Sequence, residues 1–192
     1  ISIALLFVGA AFFFKIAAAP LHMWSPDVYE GSPTSSTIFF AVIPKIALFA
    51  VFIRMFQTVF SSFEDTLLIM SIFFSICSVI VGSFAALRQR KLKRLLAYSS
   101  VSHVGYLLLA FSSNSLEGTH ALFFYLVIYM ITSLSLWSVI LSINTSTNIE
   151  RSKTLIDFAS VSSLNPLIGL TGMIALFSLA GVPPVSYTHL TL

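Results

Sequence analysis

The chain has 192 residues, of which 57% are hydrophobic and only 9% are charged. A soluble domain carries about 25% charged residues, so this composition excludes a water-soluble globule and indicates an integral membrane protein. The formal charge of +3 comes mostly from one basic cluster, which excludes a diffuse nucleic-acid-binding surface.

Six apolar segments are long enough, or nearly so, to cross a bilayer, which takes about 20 mostly apolar residues in a helix. They lie at about 1–24, 34–57, 66–87, 95–113, 119–143 and 166–183. The sequence therefore predicts an all-α, polytopic membrane bundle. Because the chain opens inside an apolar run, with no start methionine and no signal peptide, we expect it to be a piece of a longer protein.

The joins between these segments are short and polar. The third join, RQRKLKR (88–94), holds five basic residues, and the fifth holds two. In an alternating bundle the first, third and fifth joins lie on one side of the membrane. Short loops rich in Lys and Arg stay on the cytoplasmic or matrix side, so we expect the basic loop there.

Soluble-type active-site motifs are missing from the sequence. It has no Gly-rich phosphate loop, no Cys/His metal spacing and no haem-attachment motif. The single cysteine, Cys77, lies in an apolar run and is expected to pack rather than react. We therefore expect no metal and no cofactor in this chain, and we expect its function to lie in the membrane.

Two lysines lie deep inside predicted helices: Lys15 in the first and Lys45 in the second. A lysine at the centre of a membrane helix costs about 2.5–3.5 kcal/mol on insertion scales, so its presence implies a compensating role. Snorkelling of the side chain to the interface is the alternative. We favour a hydrated path through the protein interior, in which a buried lysine can exchange protons.

Each of these lysines lies by a proline. Pro20 follows Lys15 by one turn and Pro44 directly precedes Lys45, and each removes a backbone donor from its helix. Freed carbonyls at membrane depth are tolerated only where protein or water satisfies them. A broken helix beside an ionisable residue recurs at transporter ion sites, so we predict breaks at both prolines; a kink that serves only packing is the alternative.

A polar stripe marks the fourth predicted helix. The stretch AYSSVSHVGY places Ser99 four residues before His103 and Tyr106 three residues after it, on one helix face. The unperturbed pKa of histidine is about 6.5, which suits a proton relay. We take His103 as a relay residue, with Ser99, Tyr106 and, near the membrane edge, His22 as further candidates for the polar path. A hydrogen-bonded histidine between helices is the alternative for His103.

All seven carboxylates lie in the joins. An acid that balances the lysines must therefore come from elsewhere in the protein or from a neighbouring subunit. In the fifth predicted helix, Tyr125 and Tyr129, with Thr132 and Ser133, could extend the polar interior. For the two tyrosines, we favour aromatic packing.

Three stretches carry a resemblance to a known family. FKIAAAPLHMWSPDVYEGSP (14–33), PKIALF (44–49) and KLKRLLAYSSVSHVGYLLLAF (91–111) resemble NADH dehydrogenase subunit 2 in its mitochondrial form, an antiporter-like proton-pumping subunit of respiratory complex I. The resemblance covers residues 1–184, which would be part of an antiporter-like proton-translocating domain. The stretch DVYEGSP separates this family from its sister subunits.

The resemblance implies roles for particular residues. Lys15, Lys45 and His103 match proton-carrying residues on a central polar axis. The stretch LAGVPP resembles the break of a second broken helix, at Pro183 and Pro184. Residues 185–192 (VSYTHLTL) depart from the family, and we expect them not to belong to the native protein.

The resemblance also implies a function and a location. The chain would translocate protons in a complex that passes electrons from NADH to quinone, with other membrane subunits, the lipid bilayer and protons as its partners and no nucleic acid. NADH, FMN, the iron–sulfur clusters and ubiquinone would bind elsewhere in the complex. The location would be the mitochondrial inner membrane, or alternatively a bacterial plasma membrane.

Two other function classes compete with this interpretation. One alternative lies within the same superfamily: a subunit of a multisubunit cation/proton antiporter or of a related membrane-bound hydrogenase. The stretch DVYEGSP argues against this alternative. A purely structural membrane scaffold is the alternative of a different class. Lysines in mid-membrane argue against a scaffold, which gains nothing from the cost of burying them.

Overall fold

The computed structural model of the chain describes residues 2–60, 63–147, 154 and 165–181, and these residues form seven α-helices. The helices are α1 (Ser2–Lys15), α2 (Trp24–Gly31), α3 (Thr34–Thr58), α4 (Glu64–Leu87), α5 (Leu92–Ser112), α6 (Leu116–Thr147) and α7 (Pro166–Leu179). The predicted all-α architecture is confirmed.

Four helices are long and apolar enough to cross a membrane: α3, α4, α5 and α6. They correspond to four of the six predicted spans. The first predicted span differs, because α1 ends at Lys15 instead of continuing to residue 24. The last predicted span is helical as α7 from Pro166 to Leu179, and its predicted end at 183 lies outside the described residues.

The chain leaves the helical conformation between α1 and α2, across Pro20. Ala17 there has a φ of 60°, in the left-handed region, which ends α1. The indole N–H of Trp24 donates to the carbonyl of Phe14 over 2.9 Å, and the backbone N–H of Ala19 donates to a side chain of α4. The bond from Ala19 satisfies a buried backbone donor where the helix stops, and the indole gives the carbonyl of Phe14 a second donor beside the backbone N–H of Ala17.

The prediction of a break at Pro44 is wrong, because α3 continues through this residue as one helix. A proline removes one donor and crowds the preceding turn, but α3 has a long apolar stretch on both sides of Pro44. The intact hydrogen bonds on either side keep the helix together. The two prolines thus differ: the chain is non-helical around Pro20 and helical around Pro44.

Phenylalanines hold the inner helices together. Phe13 of α1 stacks on Phe74 of α4 with ring centroids 4.1 Å apart. Phe52 and Phe56 of α3 lie 4.8 Å and 6.0 Å from the ring of Phe111 on α5. Contacts of this kind give aromatic pairs a fixed relative geometry, so the core positions α1, α3, α4 and α5 against one another.

Glycines let α4 and α5 pack backbone to backbone. A Cβ added at Gly82 would lie 2.6 Å from the backbone nitrogen of Ser102, and one added at Gly105 would lie 2.9 Å from the backbone nitrogen of Val79. The hydroxyl of Ser75 also donates to the carbonyl of Gly105 over 2.7 Å. Small residues at such positions permit the close helix packing that is common in membranes.

Ion pairs fasten α2 to the start of α5. Lys91 pairs with Glu30, and Arg94 reaches Asp27 at 2.8 Å and Glu30 at 3.3 Å. The backbones of Lys91 and Thr154 also pair in an isolated antiparallel β-bridge. These contacts connect residues of the first, third and fifth joins to one another. They confirm that the three joins lie on one side of the bundle.

Candidate functional site

Lys45 is a buried cation in the middle of α3, with only 6% of its surface exposed. Its Nζ donates a hydrogen bond of 3.0 Å to the hydroxyl of Tyr129 on α6, and Nζ lies 5.1 Å from the centroid of the tyrosine ring. Burying a charge costs free energy unless hydrogen bonds or an opposite charge compensate for it. The hydroxyl and the ring face of Tyr129 supply part of that compensation.

His103 contacts the same tyrosine from α5. Its ring centroid lies 5.0 Å from that of Tyr129, and its Nδ1 lies 2.6 Å from the hydroxyl oxygen of Tyr125. The tautomer of the imidazole decides whether Nδ1 donates or accepts in that bond. Lys45, Tyr129, His103 and Tyr125 therefore form one continuous chain of contacts between α3, α6 and α5.

Lys15 and Lys45 line one cavity of about 640 Å³. Lys15 lies at the last residue of α1 and is exposed, unlike Lys45. A cation in the last turn of a helix is favoured by the negative end of the helix dipole. Apart from the lysines, Ser25 and Tyr29, the cavity wall is apolar, with Phe14, Ile16, Ala17, Trp24, Val28, Phe40, Pro44, Ala47 and Leu48.

Two further cavities adjoin the histidine. One of about 470 Å³ is lined by His103, Tyr106 and Tyr125, together with residues at the end of α7. A smaller one of about 60 Å³ is lined by His103, Tyr125, Tyr129 and Thr132. The contact chain from Lys45 to Tyr125 thus connects the lysine cavity with open space on the α7 side of the bundle.

The remaining candidates for the polar path lie farther from this chain. His22 is 5% exposed, its ring centroid is 6.0 Å from that of Tyr98, and its Nδ1 has no hydrogen-bond partner within the described residues. Ser99 is half-buried and lines a narrow cavity beside Tyr129. Tyr106 is 45% exposed, and its ring centroid lies 6.4 Å from that of His103. The hydrogen bond of His103 goes to α6 and not along the predicted stripe of its own helix.

The interpretation of Tyr125 and Tyr129 as aromatic packing is incomplete. Both rings lie against that of His103, but both hydroxyls are also hydrogen-bonded to candidate site residues. The sequence held a signal for this. The two tyrosines are four residues apart, so their side chains share one face of α6, and Thr132 and Ser133 follow within the next turn. Pro183, Pro184 and residues 185–192 lie outside the described residues.

Comparison with known proteins places the chain in a family. The family described as "NADH:quinone oxidoreductase/Mrp antiporter, TM" matches residues 1–190. The chain is 41% identical over 186 residues to NADH-ubiquinone oxidoreductase chain 2 of Oenothera berteroana, an alignment that covers 97% of this chain and 37% of that protein. It is 44% identical over 184 residues to NADH-quinone oxidoreductase subunit N of Pelagibacter ubique, with 96% of this chain and 38% of that protein covered.

A solved structure shows the same relationship. A chain in the structure of respiratory complex I from Thermus thermophilus with bound aureothin is 33% identical, with a TM-score of 0.66 over 90% of this chain and 36% of that one. The present chain spans well under half the length of the curated relatives it matches. Since the family match takes in nearly all of its residues, the chain belongs to the NADH:quinone oxidoreductase/Mrp antiporter transmembrane family.

Proposed function

We propose that the chain is the proton-translocating part of a membrane subunit of respiratory complex I, and that it moves protons while electrons pass from NADH to quinone in other subunits. The observation that carries this proposal is Lys45, an ionisable side chain buried in the middle of a spanning helix. An ionisable residue at that depth is costly and marks ion or proton pathways in membrane proteins. The names of the relatives, NADH-ubiquinone oxidoreductase chain 2 and NADH-quinone oxidoreductase subunit N, support the assignment to complex I.

The residues have distinct roles in the proposal. Lys15 takes up or delivers a proton at the shared cavity, Lys45 holds it in the membrane interior, and His103 passes it towards the cavity beside Tyr106. An amine and an imidazole can each gain and lose a proton, which this transfer needs. His22 and Ser99 border the path without a direct contact to the Lys45–His103 chain in the described residues.

The proposal assigns the redox chemistry to other subunits. NADH, FMN, the iron–sulfur clusters and ubiquinone bind there, and this chain carries no redox centre of its own. Its partners are the other membrane subunits of the complex and the lipid of the mitochondrial inner membrane, or of a bacterial plasma membrane. The chain's lack of Cys/His clusters in sequence agrees with this division of labour.

A subunit of a cation/proton antiporter is the second candidate, because the family description names Mrp antiporters as well. Native electrophoresis of the source membranes separates the two. We expect an antibody to this chain to detect it at the same position as in-gel NADH-oxidising activity. Detection only in a complex without NADH-oxidising activity would favour the antiporter, and migration as a small independent species would contradict both.

A pair of substitutions at Lys15 tests the transfer step in the assembled complex. Lys15→Ala removes the titrating group, and Lys15→Arg keeps the charge in a side chain that does not release its proton. We expect both variants to assemble and both to lose most of the pH gradient formed by reconstituted vesicles. Normal pumping by the Lys15→Arg complex would rule out proton exchange at this residue.

A further inference from the structure

We propose that Tyr129 is the positioning residue of the path: its hydroxyl holds the Lys45 ammonium next to His103. This inference rests on the proposed proton-translocating function and adds a residue to it. Tyr129 is 6% exposed and lies on α6, whereas its two partners lie on α3 and α5. It therefore contacts both of the other helices at the site.

The contacts on Tyr129 come from both titrating groups. Lys45 Nζ donates to its hydroxyl over 3.0 Å, and the imidazole of His103 lies 5.0 Å from its ring, centroid to centroid. Hydrogen bonds in which the donor is charged are stronger than neutral ones. The hydroxyl of Tyr129 therefore helps to fix the position of Nζ, beside Tyr29 of α2, which lines the same cavity as Lys45.

Without that hydroxyl oxygen, the Lys45 side chain can adopt another conformation. A lysine has a flexible four-carbon stem and places its charge where water or an acceptor is found. The cavity shared with Lys15 offers about 640 Å³ of space on that route. Loss of the acceptor on α6 would let Nζ turn towards this cavity and away from His103.

The hydroxyl is not needed to fill space. The neighbours of Tyr129 on its helix include Leu126 and Met130, whose buried side chains are apolar. A phenylalanine would occupy the same volume without the cost of burying a hydroxyl. A phenol group both accepts and donates, so Tyr129 can hold Lys45 and still offer its own proton to a neighbour.

The test is Tyr129→Phe in the complete, reconstituted complex. We expect assembly on native gels to be unchanged and the rate of pH-gradient formation per NADH oxidised to fall about tenfold, the size expected for a lost bond to a charged group. We also expect the pH at which pumping is half-maximal to move by about one unit, which a purely structural role would not cause. Ser135→Ala is the matched control, because it deletes a hydroxyl from the same helix that donates to the backbone carbonyl of Ile131.

Lys45→Ala, measured in parallel, separates failure of this inference from failure of the proposed function. If Lys45→Ala pumps normally, the proposed path through Lys45 is wrong, and the positioning role falls with it. If Lys45→Ala stops pumping while Tyr129→Phe pumps as the unmodified complex does at every pH, only the positioning role is overturned. A Tyr129→Phe complex that fails to assemble would show a packing role and would also overturn it.

Discussion

The backbone N–H of Ala19, in the non-helical stretch after α1, donates a hydrogen bond of 2.8 Å to the hydroxyl of Ser78 on α4. Both residues are fully buried. In the hydrocarbon region no water is at hand to satisfy a backbone donor, so a side chain must do so. The hydroxyl of Ser78 in turn donates to the carbonyl of Phe74 in its own helix, which fixes its orientation.

Replacement of Ser78 by alanine leaves the N–H of Ala19 buried and unpaired. We expect Ser78→Ala to lower stability by about 1–3 kcal/mol, the cost of an unsatisfied buried donor. The measurement is the temperature at which the complex loses this subunit in detergent. Ser83→Ala on the same helix is the control, because the hydroxyl of Ser83 is exposed and its hydrogen bond to the hydroxyl of Ser102 is long, at 3.3 Å. Equal losses in both variants would contradict a special role for Ser78.

A substitution at Gly82 tests the close packing of α4 and α5. A methyl group at Gly82 would lie 2.6 Å from the backbone nitrogen of Ser102, a contact that only a shift of one helix can relieve. We expect Gly82→Ala to reduce assembled complex severalfold on native gels. Gly31→Ala is the control, since nothing lies within 4 Å of a Cβ added there. Normal amounts of the Gly82→Ala complex would show that the two helices are farther apart than described.

Four of the six predicted spans agree with the structure, because the hydrocarbon thickness sets the length of an apolar helix. The difference between Pro20 and Pro44 was not predictable from the sequence. Both prolines remove a donor, but the chain breaks at Pro20, where the hydroxyl of Ser78 accepts from the backbone N–H of Ala19 and the indole of Trp24 donates to the carbonyl of Phe14. That support comes from distant residues and a later helix, which local sequence patterns do not report.

The candidate site was predictable in part, for a similar reason. Lys45 and His103 were recognisable because ionisable residues are rare inside apolar segments. The sequence predicts Ser99, His103 and Tyr106 as one polar stripe on α5, but His103 is hydrogen-bonded to Tyr125 of α6, which is the arrangement of the alternative interpretation, a histidine bonded between helices. Periodicity gives the residues that share a helix face, but it does not give the helix that the face meets.

The two carboxylates of α2 differ in their surroundings, which predicts unequal effects. The side chain of Glu30 is 21% exposed and pairs with Lys91 and Arg94, whereas that of Asp27 is 72% exposed and pairs with Arg94. We expect Asp27→Asn to change stability by less than about 1 kcal/mol, as exposed ion pairs usually do. Glu30→Gln should cost more, and its effect should shrink less in high salt. Thermal unfolding of the detergent-solubilised complex at low and high salt measures both, and a larger effect at Asp27 would contradict the described pairing.

The orientation of the bundle predicts which face is open to chemical labelling. Arg90 is exposed in the basic loop, and Leu116 is exposed at the start of α6, at the opposite end of α5. We expect a cysteine at Arg90 to react with a membrane-impermeant maleimide only from the matrix or cytoplasmic face, and a cysteine at Leu116 only from the other face. Reversed labelling of the two positions would invert the topology.

Proton exchange at Lys45 is tested most directly by Lys45→Arg in the assembled complex. Arginine keeps the positive charge and can still donate to Tyr129, but its guanidinium does not release a proton. The decisive measurement is the pH gradient formed per NADH oxidised in reconstituted vesicles, with the content of complex checked on a native gel. We predict a fully assembled complex that forms almost no gradient. A Lys45→Arg complex that pumps at the normal rate would contradict proton exchange at Lys45.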